Sequence, residues 1–255
     1  MNIPKLRSPI VLVHGLLGFN KIEVAGTKLA DYFRGIPALL SQAGNRVLAP
    51  LMSPVGSVAD RAKQLKDFLL QQSPGEPVHL IAHSMGGLDA RYLISRLDMA
   101  SSVLTLTTIA TPHRGTSFAD WGVGRFERLA RPVLDGLGIP YQAFFDLTRA
   151  KCRDFNDQVP DAANVRYFSI AGKHDGHILH PEWLLPFNIV TKEEGDNDGI
   201  VAMNSARYGE SFDVWEGDHI SLINWQNPFA QYRGAWRDPA PRYAGIVQRL
   251  ADLGY

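Results

Sequence analysis

Eleven residues, Pro77-Val78-His79-Leu80-Ile81-Ala82-His83-Ser84-Met85-Gly86-Gly87, leave this chain few folds to choose from. Val78 to Ala82 is an apolar run of strand length. Leu88-Asp89-Ala90-Arg91-Tyr92-Leu93-Ile94 opens a helical pattern. Between them Ser84 stands on a turn with small neighbours. A serine on a sharp strand-to-helix turn is the layout of a nucleophile elbow, usually written Gly-x-Ser-x-Gly. Ala82 takes the first position here, and its methyl is small enough. Gly86 and Gly87 let the helix pack close to the strand. The turn lifts the Ser84 hydroxyl clear of the backbone and aims the Met85 N–H and the helix N-terminus at the same point. An ordinary corner with an N-capping serine fits the same five residues, so the rest of the chain must decide.

The 255 residues suffice for one large domain with a substantial core. Lysine and arginine number 26, as do aspartate and glutamate, so no basic excess points to nucleic acid and no acidic tail to an electrostatic partner. The one cysteine, Cys152, excludes an internal disulfide and argues against a thiolate metal cage. It is expected to act as a small, half-buried hydrophobe. The start, Met1 to Ser8, has basic residues but no apolar core before Pro9, so no signal peptide is expected. No run reaches the ~18 apolar residues of a membrane span. These features suggest a cytoplasmic protein, or one exported by a route without a cleaved signal.

In chain order, Ile10 to Val13 is a β-branched apolar run suited to a strand buried on both faces. It runs into His14-Gly15-Leu16-Leu17-Gly18-Phe19. A strand ending this way is where an elbow serine finds its second oxyanion donor, so the Leu16 and Met85 N–H groups are the candidate pair. His14 is expected to brace that loop. With Leu17, His83 and His113 it is also a candidate for the substrate pocket. Ile36 to Ala43 reads as a helix closed by Gly44, and Arg46 to Ala49 as a strand. Ser57 caps a helix with Val58, Ala62, Leu65, Phe68 and Leu69 on one stripe. Val103 to Ile109 and Val165 to Ala171 are further strands, and Phe212 to Trp215 is the last. Pro241 to Gly254 closes the chain as a helix. Strands alternating with helices of these lengths indicate an α/β fold, a mostly parallel sheet with helices on both faces.

Two carboxylates, Asp196 and Asp198, sit in a loop after a late strand, where a triad acid belongs in the order Ser, Asp, His. His174, Asp175, His177 and His180 crowd one loop and include metal-binding types, but Gly176 and the irregular spacing favour a plain polar loop. His113 and Arg114 follow a strand at the sheet's carboxyl edge and serve either to brace a loop or to wall a pocket.

The His14–Phe19 block, Gly35-Ile36-Pro37-Ala38-Leu39-Leu40, the elbow, Thr111-Pro112-His113-Arg114-Gly115 and Asn197-Asp198-Gly199-Ile200-Val201 occur in the order found in a known family. Together they resemble the bacterial true lipases of the Pseudomonas, Burkholderia and Proteus group, over most of the chain. The resemblance implies an α/β-hydrolase fold and hydrolysis of fatty-acid esters such as triacylglycerols, with no cofactor in the chemistry. It implies Ser84 as nucleophile, Asp198 rather than Asp196 as acid, and His219 as base. Asp218, beside His219, either tunes that base or serves the turn. Residues 117–160 interrupt the strand–helix rhythm with a roughly helical apolar pattern. The resemblance implies a lid there, opening at a lipid surface, and two further core helices are the plainer alternative. A carboxylesterase acting on short soluble esters would use the same triad, as would an acyltransferase. A non-catalytic binder of apolar ligands is the rival from another class, and the full Ser, Asp and His set speaks against it.

The pattern breaks in two places. Many of these lipases bind calcium through an aspartate two residues after the catalytic histidine and a side chain six residues after it. Those positions are Ser221 and Trp225 here, a poor ligand and a non-ligand. The disulfide of the secreted Pseudomonas members is also missing. Neither loss touches the triad.

Overall fold

Strands rich in Val, Ile and Leu pair side by side in one all-parallel sheet, as runs buried on both faces must. In the computed structural model, which describes residues 3–16, 23–24, 27–28, 32–129, 142–177, 183–233 and 237–255, these are β1 (Ile10–Val13), β4 (Val47–Leu48), β5 (Val78–His83), β6 (Val103–Ile109), β7 (Arg166–Lys173) and β8 (Ser211–Glu216). Their order across the sheet is β4-β1-β5-β6-β7-β8. A two-stranded antiparallel ribbon of β2 (Glu23–Val24) and β3 (Thr27–Lys28) stands apart and was not read from the sequence.

Successive residues on the central strands face opposite sides, and each side has its own core. Ile10, Leu12 and Ile81 pack with α1 (Ile36–Gln42) and with Tyr243, Ile246, Val247 and Leu250 of the last helix, α10 (Ala240–Asp252). Val11, Val13, Leu80 and Ala82 pack with Ala62, Leu65 and Leu69 of α2 (Val58–Gln72) and with Ala90, Leu93 and Ile94 of α3 (Gly86–Arg96). Ser57 caps α2 as expected, its hydroxyl accepting the Asp60 N–H at 3.2 Å.

The 117–160 stretch falls between β6 and β7. It contributes α4 (Ser117–Leu129), α5 (Gln142–Asp146) and α6 (Arg149–Gln158). Its middle, 130–141, lies outside the described residues, with Val133, Leu134, Leu137 and Ile139. Ala119, Ala143, Leu147 and Cys152 pack against Met85 and Leu88 at the elbow. Cys152 is wholly buried, not half-buried, because the three helices close around it. Burial pushes its thiol up to about 12, so it holds its proton. A helix absent from the sequence reading, α7 (Leu184–Glu194), holds the base of α4: Glu194 Oε1 accepts the Ser117 N–H at 2.7 Å. The short helices α8 (Met203–Ala206) and α9 (Pro228–Tyr232) complete the set.

One buried ion pair joins the elbow helix to the loop after β1. Arg61 on α2 and Asp89 on α3 have fully buried side chains and meet at 2.8 Å. Arg61 also donates to the carbonyls of His14 and Ser53, both at 2.6 Å. Among the described residues Asp89 Oδ1 has no partner. Burial drives the Asp89 carboxyl up to about 7 against the pull of Arg61. Arg61→Met leaves that carboxyl alone and frees both carbonyls. Urea melts are expected to show a loss of about 3–5 kcal/mol. Without Arg61 the carboxyl is raised further, so the deficit grows as pH rises through about 7, where only the wild-type carboxyl ionises.

Candidate active site

The strand–turn–helix at Ser84 is tight enough to force the serine into the left-handed region, at φ 55°. Such a conformation costs a non-glycine residue about 1–3 kcal/mol and is held by its surroundings. The Ser84 N–H donates to Ile109 O at 2.9 Å. The Thr111 hydroxyl donates to Ser84 O at 2.7 Å. A Cβ on Gly86 would sit 2.7 Å from the carbonyl oxygens of both Val13 and His14. A Cβ on Gly87 would collide with Thr111. Gly15 lies as close on the other side, with 2.7 Å from its Cβ position to Ser84 Cβ. The first N–H bonded within the turn is that of Gly87, to Ser84 O at 3.1 Å. Met85 and Gly86 precede it, at the positive end of α3.

Loops after β7 and β8 converge on this turn. His219 Nε2 lies 3.0 Å from Ser84 Oγ, and His219 Nδ1 lies 2.7 Å from Asp198 Oδ2. Since a carboxylate only accepts, Nδ1 carries the ring proton and Nε2 is left to accept from the serine. Asp198 is fully buried. Its Oδ1 accepts the N–H groups of Ile200 at 3.0 Å and Val201 at 2.8 Å, and its carbonyl accepts the His219 N–H at 2.8 Å. Asp196 faces away, 61% exposed and paired with Lys173 at 2.7 Å. Asp218 serves the turn: Oδ1 accepts the Ser221 N–H at 2.9 Å, and its carbonyl accepts the Ser221 hydroxyl at 2.7 Å.

The other sequence candidates divide. The His14 ring is braced between the Met52 N–H at 3.0 Å and Gly15 O at 2.8 Å. Burial, then the Arg61 charge, lowers it to about 4 and keeps it neutral. His83 is wholly buried, with its ring centroid 4.6 Å from that of His219. His113 contacts Thr108 at 3.0 Å and stacks on Tyr208 at 4.2 Å, lining a cavity of about 370 Å³ with Arg91, Asn156 and Asp161. Leu17 lies outside the described residues. Two participants were missed in the sequence. Tyr32 donates to or accepts from His83 Nδ1 at 2.8 Å, and Trp183 meets the His219 ring edge-on at 6.4 Å. Trp183 leads into α7, where Pro186 in the first turn and Gly195 at the end were the available helix signals.

The two positions where calcium ligands were considered do not fit the ion. Ser221 Oγ is committed to the Asp218 carbonyl, and Trp225 Nε1 donates to Tyr32 O at 2.9 Å. In the polar loop, His174 Nδ1 accepts the Gly176 N–H at 2.9 Å, Asp175 accepts the His177 N–H at 2.8 Å, and His180 lies outside the described residues. Among the described residues, no three His, Cys, Asp or Glu side chains gather as a metal cluster.

Comparison with known proteins adds independent information. The family described as "PGAP1-like alpha/beta domain" matches residues 57–207. Triacylglycerol lipase 2 of Saccharomyces cerevisiae is 32% identical over 272 residues, covering 87% of this chain and 81% of that protein. A triacylglycerol lipase of Vibrio cholerae is 31% identical, covering 97% of this chain and 89% of its own length. Among solved structures, the mature Bacillus licheniformis lipase BlEst2 superposes with a TM-score of 0.68 at 26% identity, over 89% of this chain and 91% of the other.

The elbow geometry makes a sharp contrast between two glycines. Gly86→Ala pushes a methyl into two backbone carbonyls that cannot yield, and urea melts are expected to show about 2–3 kcal/mol lost. Gly245→Ala, within α10 with nothing within 4 Å of the added carbon, is expected to gain about 0.5–1 kcal/mol by the same assay.

Proposed function

This chain belongs to the triacylglycerol lipase family of α/β-hydrolases, and from that premise we propose that it is a serine lipase whose acyl-enzyme forms on Ser84. The observation that carries the proposal is the single histidine, His219, spaced 3.0 Å from a serine hydroxyl and 2.7 Å from a buried carboxylate. Ser84 Oγ attacks the ester carbonyl carbon as His219 Nε2 takes its proton. Asp198 keeps the ring in the required tautomer and stabilises the imidazolium. The N–H groups of Leu16 and Met85 bind the oxyanion, each worth on the order of 3 kcal/mol of barrier. His219 returns the proton to the leaving alcohol, and the ester carbonyl stays bound to Ser84 as an acyl group. Water, deprotonated by His219, then releases the fatty acid. No step calls on a cofactor.

The substrate is a fatty-acyl ester met at a lipid surface. Ser84 and His219 are only 7% and 6% exposed, so substrate entry requires the cover to move. We assign that role to residues 117–160. Leu184 and Leu185, half exposed just after Trp183, add apolar surface on the His219 side. Among the described residues no helix is long and apolar enough to cross a membrane, so contact with lipid would be peripheral.

Initial rates on emulsified long-chain triacylglycerol and on a soluble short-chain ester, each with and without chelator, test the proposal. The emulsion is expected to be the better substrate, insensitive to chelator, and Ser84→Ala is expected to lose at least ~10⁴-fold in kcat on both. Hydrolysis of the soluble ester alone would make the protein a carboxylesterase. Activity that survives Ser84→Ala would remove the serine mechanism altogether.

A further inference from the structure

His83 immediately precedes the proposed nucleophile, is wholly buried, and has no part in the mechanism above. Its Nε2 lies 3.0 Å from the His219 carbonyl oxygen, and its Nδ1 lies 2.8 Å from Tyr32 Oη. A carbonyl oxygen only accepts, so Nε2 carries the ring proton and donates it to His219 O. Nδ1 is then an acceptor, and the Tyr32 hydroxyl must donate to it. Both ring nitrogens are used, in one tautomer. Burial first, and next the proximity of His219, hold His83 well below the ordinary histidine range.

Tyr32 is fastened in turn. Trp225 Nε1 donates to its carbonyl at 2.9 Å. Its phenol oxygen lies against the Gly15 backbone, 2.9 Å from the Cβ position of that glycine. The bonds therefore run from Tyr32, packed on the loop that presents Leu16, through His83 to the backbone of His219. The His219 N–H is held from the other side by Asp198 O at 2.8 Å.

We propose that Tyr32 and His83 are positioning residues: the His83 Nε2–H anchors the backbone carbonyl of His219 so that its ring stays aligned between Ser84 and Asp198, and the Tyr32 hydroxyl selects the His83 tautomer able to do so. This rests on the triad assigned above. The chemistry favours a buried, neutral ring at this position. His219 gains a positive charge in each transition state, and an imidazolium with its ring centroid 4.6 Å away would oppose it. A neutral imidazole supplies the donor without the charge. Among the described residues, the groups facing the His219 ring are then Ser84, Asp198, Trp183 and the uncharged His83.

The test compares wild type, His83→Leu, His83→Gln and Tyr32→Phe on a soluble chromogenic ester, with a fluorophosphonate titrating competent Ser84 so that rates are per active site. His83→Leu fills the space but donates nothing. It is expected to lower kcat on the order of 10²-fold, as for an ångström of misplacement, with KM little changed. The acidic limb of its kcat/KM profile is expected to move to lower pH, because a loosened His219–Asp198 bond gives the protonated ring less support. Tyr32→Phe is expected to move both readouts the same way by less. His83→Gln, whose amide N–H reaches the same carbonyl, is expected to restore most of the rate. The proposal is overturned if His83→Gln is as slow as His83→Leu, or if rates fall while the acidic limb stays in place. Where His83→Leu does not fold, Tyr32→Phe decides, and a wild-type rate and profile for it overturns the relay. A wild-type protein that the fluorophosphonate leaves unlabelled at Ser84 overturns the triad itself.

Discussion

The chain turns between Ser84 and Gly87 with its backbone pressed against two others, and much of the molecule exists to keep it there. Ser84 holds a positive φ that an isolated peptide would leave. Ile109 O takes its N–H and Thr111 Oγ1 donates to its carbonyl. The approach of Gly86 to the carbonyls of Val13 and His14 is possible only without a side chain. These contacts come from β1 and from the end of β6, the two neighbours of β5 in the sheet. Strain at one residue is thus balanced by the order of the strands.

Polar groups buried around the turn follow one rule, that each is either matched or kept neutral. His14 and His83 stay uncharged because burial outweighs everything near them. Arg61 is matched by Asp89 and two carbonyls. Asp198 is buried yet accepts two backbone N–H groups and the His219 ring. The charge that His219 develops in the proposed reaction therefore appears in a site where the nearby histidines add none. Preorganisation of this kind lets small displacements have large kinetic effects.

The helices between β6 and β7 bear on stability and, in the proposed reading, on access. Ala119, Ala143, Leu147 and Cys152 pack against Met85 and Leu88, so these helices and the elbow share one small core. Its outer side is tied to α7 by polar bonds, Ser117 N–H to Glu194 and Arg149 to Glu193 at 2.9 Å. Partly exposed ion pairs of this kind are worth little each.

Short-range chemistry made most of the site legible in the sequence. The elbow pattern, the His14-Gly15 strand end and the helix cap at Ser57 are local motifs, in which neighbouring residues impose the geometry, and from them came Ser84 on its turn and the expectation that the Leu16 and Met85 N–H groups face it. The alternation of buried strands and amphipathic helices was readable for the same reason. The choice of Asp198 over Asp196 came from the family resemblance and not from local chemistry. Both stand in one loop, and only the fold turns one toward His219 and leaves the other with Lys173. Tyr32, 51 positions from His83, meets it only in the folded chain. Trp183 and α7 were missed because their apolar residues are mixed around the helix and its partner α4 is distant in sequence. Sequence determines what a residue does with its neighbours along the chain. Which distant groups meet across buried space is decided by packing, where a shift of an ångström makes or breaks a hydrogen bond.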